Sequence, residues 1–255
     1  NSKNSIEEIF KLKNTMLSIV YKMLVIHLGQ PPESFTWQVR DKKKNFHRYD
    51  DLTPKTFFKD HVGLDLNNFV CLIDCPMSDK EYNRVYTVEF LGNVIEGNAI
   101  RYLNVEIEVL KRATIESIKN NDPVWFGCDV SKYLHRTHGV MDTQLFDFEL
   151  FYGTSFSLDK ASRLEYGESK MTHAMLFTGV DLDSNRNPKK WRVENSWGER
   201  NGEKGYYIMS DDWFEQYLYE VVIDKKYLDS SIVEMYESQN AKLLPPWDPM
   251  GALAR

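Results

Sequence analysis

Four short apolar segments between residues 172 and 223 constrain the fold of this chain more than any other feature of its sequence. Turn-forming residues separate these segments, a pattern typical of β-strands. A short helix is predicted at 212–217, between the last two segments. The sequence therefore predicts a β-rich region in the second half of the chain, with strands at 174–180, 191–194, 205–209 and 219–223.

Helical periodicity predicts two longer helices elsewhere in the chain. From residue 6 to 28, apolar side chains recur at spacings of three and four, the period of an amphipathic helix. Ser5 can cap this helix and Gly29 can end it, because glycine tolerates the left-handed backbone of a helix C-terminus. A second helix is predicted from 104 to 120, opened by Asn104. Shorter predicted elements are a helix at 54–62, a hairpin of strands at 35–39 and 46–49, and strands at 70–73, 86–91 and 124–128.

Charge and composition exclude several function classes. The 255 residues include 32 basic and 38 acidic side chains, and this net charge of -6 argues against nucleic acid as a partner. The longest apolar run, at 16–28, is broken by polar residues, so no membrane span is predicted. Three cysteines are too few for a disulfide framework and odd in number, which predicts a reducing compartment and a cytoplasmic protein.

A histidine and an asparagine stand at the ends of two predicted strands, on either side of one turn. His173 opens one strand, Asn195 closes another, and turn residues 183–188 lie midway between them. If the strands pair antiparallel about this turn, the two side chains lie nearly opposite each other. The Asn195 amide oxygen could then accept a hydrogen bond from one ring N–H of His173, with Trp197 shielding that bond from water. The residues alone leave two interpretations open, a catalytic pair or the more common structural histidine at a strand end.

Longer sequence motifs carry a resemblance to a known family. The segment 195–198, Asn-Ser-Trp-Gly, and the glycines that follow it resemble the asparagine motif of papain-like cysteine peptidases. The segment 172–174, Thr-His-Ala, resembles their histidine motif. The likeness runs through nearly the whole chain when compared with the bleomycin hydrolase family, a cytosolic branch of these peptidases. The segments that resemble it are 30–37, 125–130, 171–175, 190–199 and 247–254.

This resemblance implies the fold and its division into parts. It implies an α+β papain-like cysteine peptidase fold, with a β-barrel-like half that carries His173 and Asn195, a helical insertion, and no N-terminal half bearing the cysteine. We predict a helical insertion region with small β-hairpins at 1–103 and a papain-like β-rich subdomain at 104–228. Residues 229–255 are predicted to form a C-terminal arm that reaches toward the active-site cleft.

The resemblance also implies a cysteine-type aminopeptidase that removes N-terminal residues from peptides. His173 would take the proton of a cysteine thiol, Asn195 would orient the imidazole, and the thiolate would attack the peptide carbonyl. The family's nucleophile follows a glutamine in an N-terminal segment and precedes a tryptophan, and these residues contain no such motif. Three explanations stay open: a sequence that lacks its N-terminal half, an enzyme processed into two chains, or a catalytically incomplete homologue that acts as a binding or assembly module.

None of the three cysteines is predicted to replace that nucleophile. Cys71 and Cys128 lie in apolar strands, where burial disfavours a thiolate. Cys75 precedes a proline in a turn, where exposure is expected, but no glutamine stands near it. Cys71 and Cys75 lack two further metal ligands, and the spacing of His135 and His138 is only a weak zinc pattern. The sequence therefore predicts no metal site and no cofactor.

The resemblance finally assigns a role to the chain end and names partners. In the resembled family the C-terminus lies in the active-site cleft and presents its carboxylate to the substrate's amino group, which would give Ala254 and Arg255 that role here. Slim side chains at 251–254 suit a narrow groove, whereas the three prolines at 245–249 are expected to prevent regular structure. A frayed tail is the alternative. The implied partners are peptide substrates, further copies in a homohexamer, and an N-terminal half on the same or a separate chain.

Overall fold

The chain divides into two compact units, Asn1–Asp65 and Leu66–Arg255. This computed structural model describes residues 5–92, 97–156 and 158–254, and it describes 252–254 by their backbone alone. Within the described residues, no helix combines the length and the apolar character that crossing a membrane requires.

The first unit contains one long helix. Helix α1 (Ile6–Leu28) begins with a reciprocal cap, because the Ser5 hydroxyl accepts the Glu8 N–H and the Glu8 carboxylate accepts the Ser5 N–H. It ends at Gly29, whose φ of 82° is the left-handed backbone that glycine adopts without strain. The predicted helix is therefore confirmed. None of the 23 residues of α1 is buried.

An antiparallel hairpin and a short helix complete the first unit. Their bounds are β1 (Phe35–Arg40), β2 (Phe46–Leu52), α2 (Pro54–Phe57) and a π-helical turn at Phe58–Val62. The predicted hairpin is confirmed, and the helix predicted at 54–62 is present with its second half wound as a π-helix. The Trp37 ring centroid lies 5.0 Å from that of Phe57 and 4.9 Å from that of His61, so aromatic contacts join the hairpin to the helix.

Eleven of the described strands form one mixed sheet in the second unit. They are β3 (Phe69–Ile73), β4 (Arg84–Val88), β5 (Tyr102–Asn104), β6 (Val124–Cys128), β7 (Leu134–His135), β8 (Val140–Met141), β9 (His173–Leu182), β10 (Pro188–Glu194), β11 (Tyr206–Ser210), β12 (Leu218–Asp224) and β13 (Lys242–Leu244). The order across the sheet is β13-β4-β5-β3-β12-β6-β9-β10-β11-β8-β7. The predicted β-rich second half is confirmed, and β9 lies between β6 and β10.

Helices cover this sheet and enclose its core. They are α3 (Ile107–Lys119), α4 (Phe148–Tyr152), α5 (Lys160–Glu165), α6 (Asp211–Tyr217) and α7 (Ser230–Ser238). Helix α3 packs against β9 and β12, and α6 confirms the predicted helix at 212–217. In the main core the Phe126 and Phe177 rings stack with centroids 3.9 Å apart, and Trp191 stacks on Phe214 at 4.7 Å. This aromatic core holds β6, β9 and β10 together beneath α6.

The prediction that Asn104 opens a helix is wrong. Asn104 ends β5 and is completely buried, and α3 begins at Ile107. The Asn104 side-chain oxygen accepts the Cys75 N–H at 2.9 Å, while its nitrogen donates to the carbonyls of Cys75 and Lys80 at 3.0 and 3.1 Å. Asparagine satisfies backbone groups at a turn as readily as at a helix start, and here the distant turn is the partner.

The C-terminal residues carry more regular structure than the sequence predicts. Strand β13 pairs with β4, and a 3₁₀-helix covers Pro249–Ala254. Pro249 is the first residue of that helix, a position at which the missing N–H costs no hydrogen bond. The Asp248 carboxylate accepts the Met250 N–H at 2.9 Å, and Met250 is fully buried. The expectation that the prolines prevent regular structure is therefore wrong.

Candidate active site

Two rows of core side chains lead to the candidate site. Met175 in β9 and Val193 in β10 are buried in the main core. Side chains alternate along a strand, so the residues two positions further on the same faces are His173 and Asn195. Asn195 is 8% exposed and His173 is half-buried. The candidate site therefore lies where the core-facing sides of β9 and β10 change from apolar to polar residues.

The expected contact between the two side chains is present. Nε2 of His173 lies 2.9 Å from Oδ1 of Asn195. The same Asn195 oxygen accepts the backbone N–H of Ser196 at 2.8 Å, which identifies this atom as the oxygen because a backbone N–H needs an acceptor. An amide oxygen cannot donate, so Nε2 of His173 carries the proton and Nδ1 is left as the basic nitrogen.

The turn between the strands brings the two residues together, with a register that differs from the midpoint prediction. The Asp183 carboxylate accepts the N–H groups of Asn185 and Asn187 at 2.8 Å, which closes the turn. Glu194 pairs with Leu176 across the strands. Continuing this register puts Asn195 diagonally across from His173 rather than directly opposite, and a diagonal neighbour is still within reach of an imidazole.

Aromatic and cationic side chains surround the pair. The Trp197 ring centroid lies 4.8 Å from that of His173, and the Arg136 guanidinium carbon lies 4.5 Å from the Trp197 centroid. The Asn195 side-chain nitrogen and the Tyr207 hydroxyl are both buried without a hydrogen-bond partner among the described residues. The proximity of Trp197 agrees with the predicted shielding of the hydrogen bond. Sequence reasoning missed Arg136 and Tyr207, because neither stands in a motif next to the two site residues.

A buried aspartate anchors the start of β9. Asp129 is 2% exposed and accepts hydrogen bonds from the hydroxyls of Ser169 at 2.9 Å and Thr172 at 3.3 Å. The Thr172 N–H also donates to the Cys128 carbonyl at 2.9 Å. These bonds fix the backbone immediately before His173. The sequence signal for Asp129 is a polar residue directly after an apolar strand.

The environments of the cysteines disfavour thiolates. Cys128 pairs with His173 in the register of β6 and β9, yet its side chain is completely buried. Burial raises the pKa of Cys128 well above its ordinary value, and Asp129 adds to the shift. Burial also raises the pKa of Cys71, as does the neighbouring Glu220.

The expected exposure of Cys75 is wrong. Its side chain is 0% exposed, because the Asn104 amide draws its turn against the second core cluster. Burial raises the pKa of Cys75 to about 12. All three cysteines are free thiols, and none of them has the low pKa of a nucleophile.

The weak zinc pattern forms a loop contact. The rings of His135 and His138 lie 4.4 Å apart, and the His138 N–H donates to Nδ1 of His135 at 3.3 Å. Among the described residues, no three His, Cys, Asp or Glu side chains are grouped closely enough to hold a metal ion.

The C-terminal segment is anchored by a buried ion pair. Lys80 Nζ lies 2.9 Å from Asp248 Oδ2, with both side chains buried. Met250 packs in the second core cluster together with Met171, which precedes His173 by two residues. Ala254 ends the terminal 3₁₀-helix, and Arg255 lies outside the described residues.

Comparison with known proteins places these features in a family. A family model described as "Peptidase C1-like family" matches residues 1–251. Aminopeptidase C of Lactobacillus delbrueckii subsp. lactis is 44% identical over 256 residues, which is 100% of this chain and 57% of that protein. Bleomycin hydrolase of Gallus gallus is 45% identical over 254 residues, which is 98% of this chain and 56% of that protein.

A solved structure agrees with the fold. The crystal structure of PepW from Lactobacillus rhamnosis HN001 superposes with a TM-score of 0.94 at 46% sequence identity, covering 98% of this chain and 56% of that one. The predicted resemblance and fold class are confirmed. This chain spans just over half the length of the relatives it matches.

Proposed function

We propose that this chain, which belongs to the Peptidase C1-like family, supplies the His/Asn part of a cysteine aminopeptidase whose nucleophilic cysteine lies outside these 255 residues. The observation that carries the proposal is the 2.9 Å bond from His173 to Asn195. It holds the imidazole in one tautomer, and Nδ1 makes no hydrogen bond to any described residue. The basic nitrogen is therefore free for proton transfer.

The chemistry follows from that tautomer. Nδ1 of His173 takes the thiol proton, and the thiolate attacks the carbonyl carbon of the first peptide bond. The tetrahedral intermediate collapses as the imidazolium gives the proton to the leaving amine, which departs and leaves a thioester. Nδ1 then takes a proton from water, the hydroxide attacks the thioester, and the first residue of the substrate is released with the thiol restored. Throughout, the Asn195 amide oxygen accepts a hydrogen bond from the Nε2–H group and stabilises the imidazolium.

The thiol environments support a nucleophile from elsewhere. The cysteines of this chain are held as neutral thiols by burial, Cys75 with a pKa of about 12. Labelling the protein isolated from its source with iodoacetamide tests this point, because the catalytic thiol reacts first. We expect activity to disappear as one cysteine outside residues 1–255 is alkylated. Loss of activity that tracks alkylation of Cys71, Cys75 or Cys128 would contradict the proposal.

The residues encoded before Asn1 provide a second test. A glutamine and a Cys-Trp pair there support the proposal, whereas an initiator methionine directly before Asn1 contradicts it. Aminopeptidase activity of the protein from its source, measured on an aminoacyl amide with a fluorescent leaving group, then establishes the reaction. The matched control carries His173→Gln, which keeps the size of the side chain and removes the titratable nitrogen.

The C-terminal arm is part of the same proposal. Residues 229–255 extend toward the cleft, and the carboxylate at Ala254 or Arg255 binds the substrate's amino group, which restricts cleavage to N-terminal residues. The anchor formed by Lys80, Asp248 and buried Met250 supports an ordered rather than a frayed end. Removing residues 251–255 should release endopeptidase activity on a peptide with a blocked N-terminus. Strict aminopeptidase behaviour after that deletion would contradict the arm's role.

We further assign the protein to the cytoplasm as a homohexamer that acts on peptides, following the resemblance. The three free thiols support a reducing compartment. Light scattering of the protein from its source measures the number of copies in the assembly.

The alternative is a catalytically incomplete homologue that acts as a binding or assembly module. The observation that favours it is α1, whose apolar side chains include Ile6 at 74% and Leu28 at 80% exposure. An encoded protein that lacks a nucleophile motif, hydrolyses no aminoacyl amide and still assembles through α1 would support this alternative.

A further inference from the structure

An arginine stands beside the proposed catalytic histidine. Arg136 lies at the tip of the β7–β8 hairpin, with its guanidinium carbon 4.5 Å from the centroid of the Trp197 ring. The same ring lies 4.8 Å from the imidazole of His173. Trp197 therefore contacts both the guanidinium and the imidazole, and the distance between these two groups is at most about that spanned by three residues of extended chain, at roughly 3.5 Å per residue.

Two glycines hold the Arg136 hairpin against the loop that follows Trp197. A Cβ on Gly139 would lie 2.6 Å from the Gly202 Cα, and a Cβ on Gly202 would lie 2.3 Å from the Tyr206 carbonyl oxygen, so neither position accepts a side chain. The Gly202 N–H donates to the Thr137 carbonyl at 3.2 Å, and the Ile208 N–H donates to the Gly139 carbonyl at 2.8 Å. This close backbone contact fixes Arg136 over Trp197.

The Arg136 guanidinium has no carboxylate partner among the described residues. The side chain is exposed, and it makes no ion pair or hydrogen bond with any described residue. Arg163 differs, because its guanidinium is buried and donates to the carbonyls of Leu158 and Gln216. A guanidinium that stacks parallel to an aromatic ring directs its N–H groups outward in its own plane, where they can bind a carboxylate with two parallel hydrogen bonds.

The tautomer of His173 indicates which part of a bound substrate lies near Arg136. Nδ1 gives its proton to the leaving amine, so the leaving fragment lies against the imidazole and the ring beside it. We infer that Arg136 and Trp197 form a cationic subsite for the leaving fragment, which binds the terminal carboxylate of di- and tripeptides. The inference rests on the proposed function and adds a preference for short peptides with a free C-terminus.

Paired substrates test the subsite. A dipeptide and its C-terminal amide contain the same scissile bond, and they differ in the charge of the leaving fragment. We expect the unaltered protein from its source to favour the free acid in kcat/KM, and Arg136→Met to lower the acid-to-amide ratio about fivefold, the size of one charge-assisted bond near the surface. Arg136→Lys should retain part of the preference, because the charge remains without the planar fork. Added salt should reduce the ratio in the unaltered protein and leave it unchanged in Arg136→Met.

Arg192→Met is the matched control. Arg192 is also exposed and also stacks on a ring, with its guanidinium carbon 3.8 Å from the Tyr206 centroid, but its side chain lies on the strand face opposite to Asn195. Its acid-to-amide ratio should equal that of the unaltered protein.

The outcomes separate this inference from the proposed function. An unchanged ratio in Arg136→Met, with hydrolysis of the amide retained, overturns the subsite alone. An equal loss on both substrates also overturns it, since Arg136 would then only support Trp197. If the unaltered protein hydrolyses neither substrate, the proposed function fails and the subsite fails with it.

Discussion

Two polar clusters on the same sheet differ in how completely their hydrogen-bonding groups are used. Lys160 is buried and donates to Asp74 at 2.5 Å and to the Leu218 carbonyl at 2.7 Å, while the other Asp74 oxygen accepts the Tyr82 hydroxyl at 2.8 Å. At the candidate site, by contrast, His173 uses Nε2 and leaves Nδ1 without a partner among the described residues.

The difference indicates what each cluster can do. A buried ammonium that donates to a carboxylate and a carbonyl and lies over the Tyr219 ring holds chain segments together, and its burial closes it to a substrate. A half-buried imidazole with one nitrogen oriented and the other free can move a proton. The following predictions test this contrast between a saturated cluster and an open one.

Breaking the saturated cluster should have the largest effect on stability. Asp74→Ala leaves the buried Lys160 ammonium without its counter-charge, and we expect the free energy of unfolding to fall by about 3–5 kcal/mol in urea denaturation. The control is Arg112→Ala, because Arg112 pairs with Asp229 at the surface with 60% of its side chain exposed. That change should cost no more than about 1 kcal/mol. Equal losses of unfolding free energy in the two variants would show that the buried ion pair contributes no more to stability than the surface pair.

Breaking the open cluster should affect turnover rather than stability. In the complete protein, Asn195→Ala frees the imidazole to rotate and change tautomer, so kcat/KM should fall by roughly 100-fold. The free energy of unfolding should fall by about 2 kcal/mol or less, because two uncharged hydrogen bonds are lost, one to His173 and one to the Ser196 N–H. Asn185→Ala is the matched control in the exposed turn of the same hairpin and should leave both quantities unchanged. A stability loss that accounts for all of the lost activity would favour a structural histidine.

Glu220 is a buried carboxyl group, and it should make the free energy of unfolding depend on pH. It is 5% exposed, and burial raises its pKa from 4.5 to about 7, while the Cys71 thiol opposes the shift. The folded protein therefore binds a proton that the unfolded chain releases at lower pH. The stability that protonated Glu220 contributes is fully present below pH 4.5 and is lost as the pH rises to about 7. Relative to Glu220→Gln, the native protein should lose about 3 kcal/mol across that window.

Urea denaturation at several pH values measures the Glu220 effect. Glu149→Gln, at an exposed position on α4, is the control and should leave the pH profile unaltered. If the free energy of unfolding changed with pH in the same way for Glu220→Gln and the native protein, the buried carboxyl would not titrate in this range.

The smallest expected effect comes from replacing Trp197, the ring that lies beside His173. Trp197→Leu removes the ring beside His173 and lets water compete for the bond to Asn195, which should lower kcat/KM by about three- to tenfold. The His173 Nε2 proton should also exchange faster with water in ¹⁵N-resolved NMR of this chain. An unchanged exchange rate would show that Trp197 does not shield the bond.

Local patterns in the sequence predicted much of this architecture. The reciprocal Ser5–Glu8 cap and Gly29 bound α1 because capping depends on neighbours along the chain. The turn at 183–188 was predictable for the same reason, since the Asp183 carboxylate closes it through residues two and four positions away. With both strands joined by one short turn, the spacing predicted that His173 and Asn195 approach each other, whereas their diagonal register depends on the pairing of Glu194 with Leu176.

Contacts between distant segments were not predictable in this way. Asn104 has the side chain of a helix cap, but it bonds to a turn 29 residues earlier and buries Cys75 there. Arg136 has no motif of its own, and its place beside Trp197 depends on the contact of Gly139 with Gly202, more than sixty residues later in the chain. The sequence by itself determined helix α1 with its caps and the turn at 183–188, because these depend on neighbours within a few positions. Only the tertiary structure decided which polar groups are saturated and which are left open, because that depends on partners the chain meets only after it has folded.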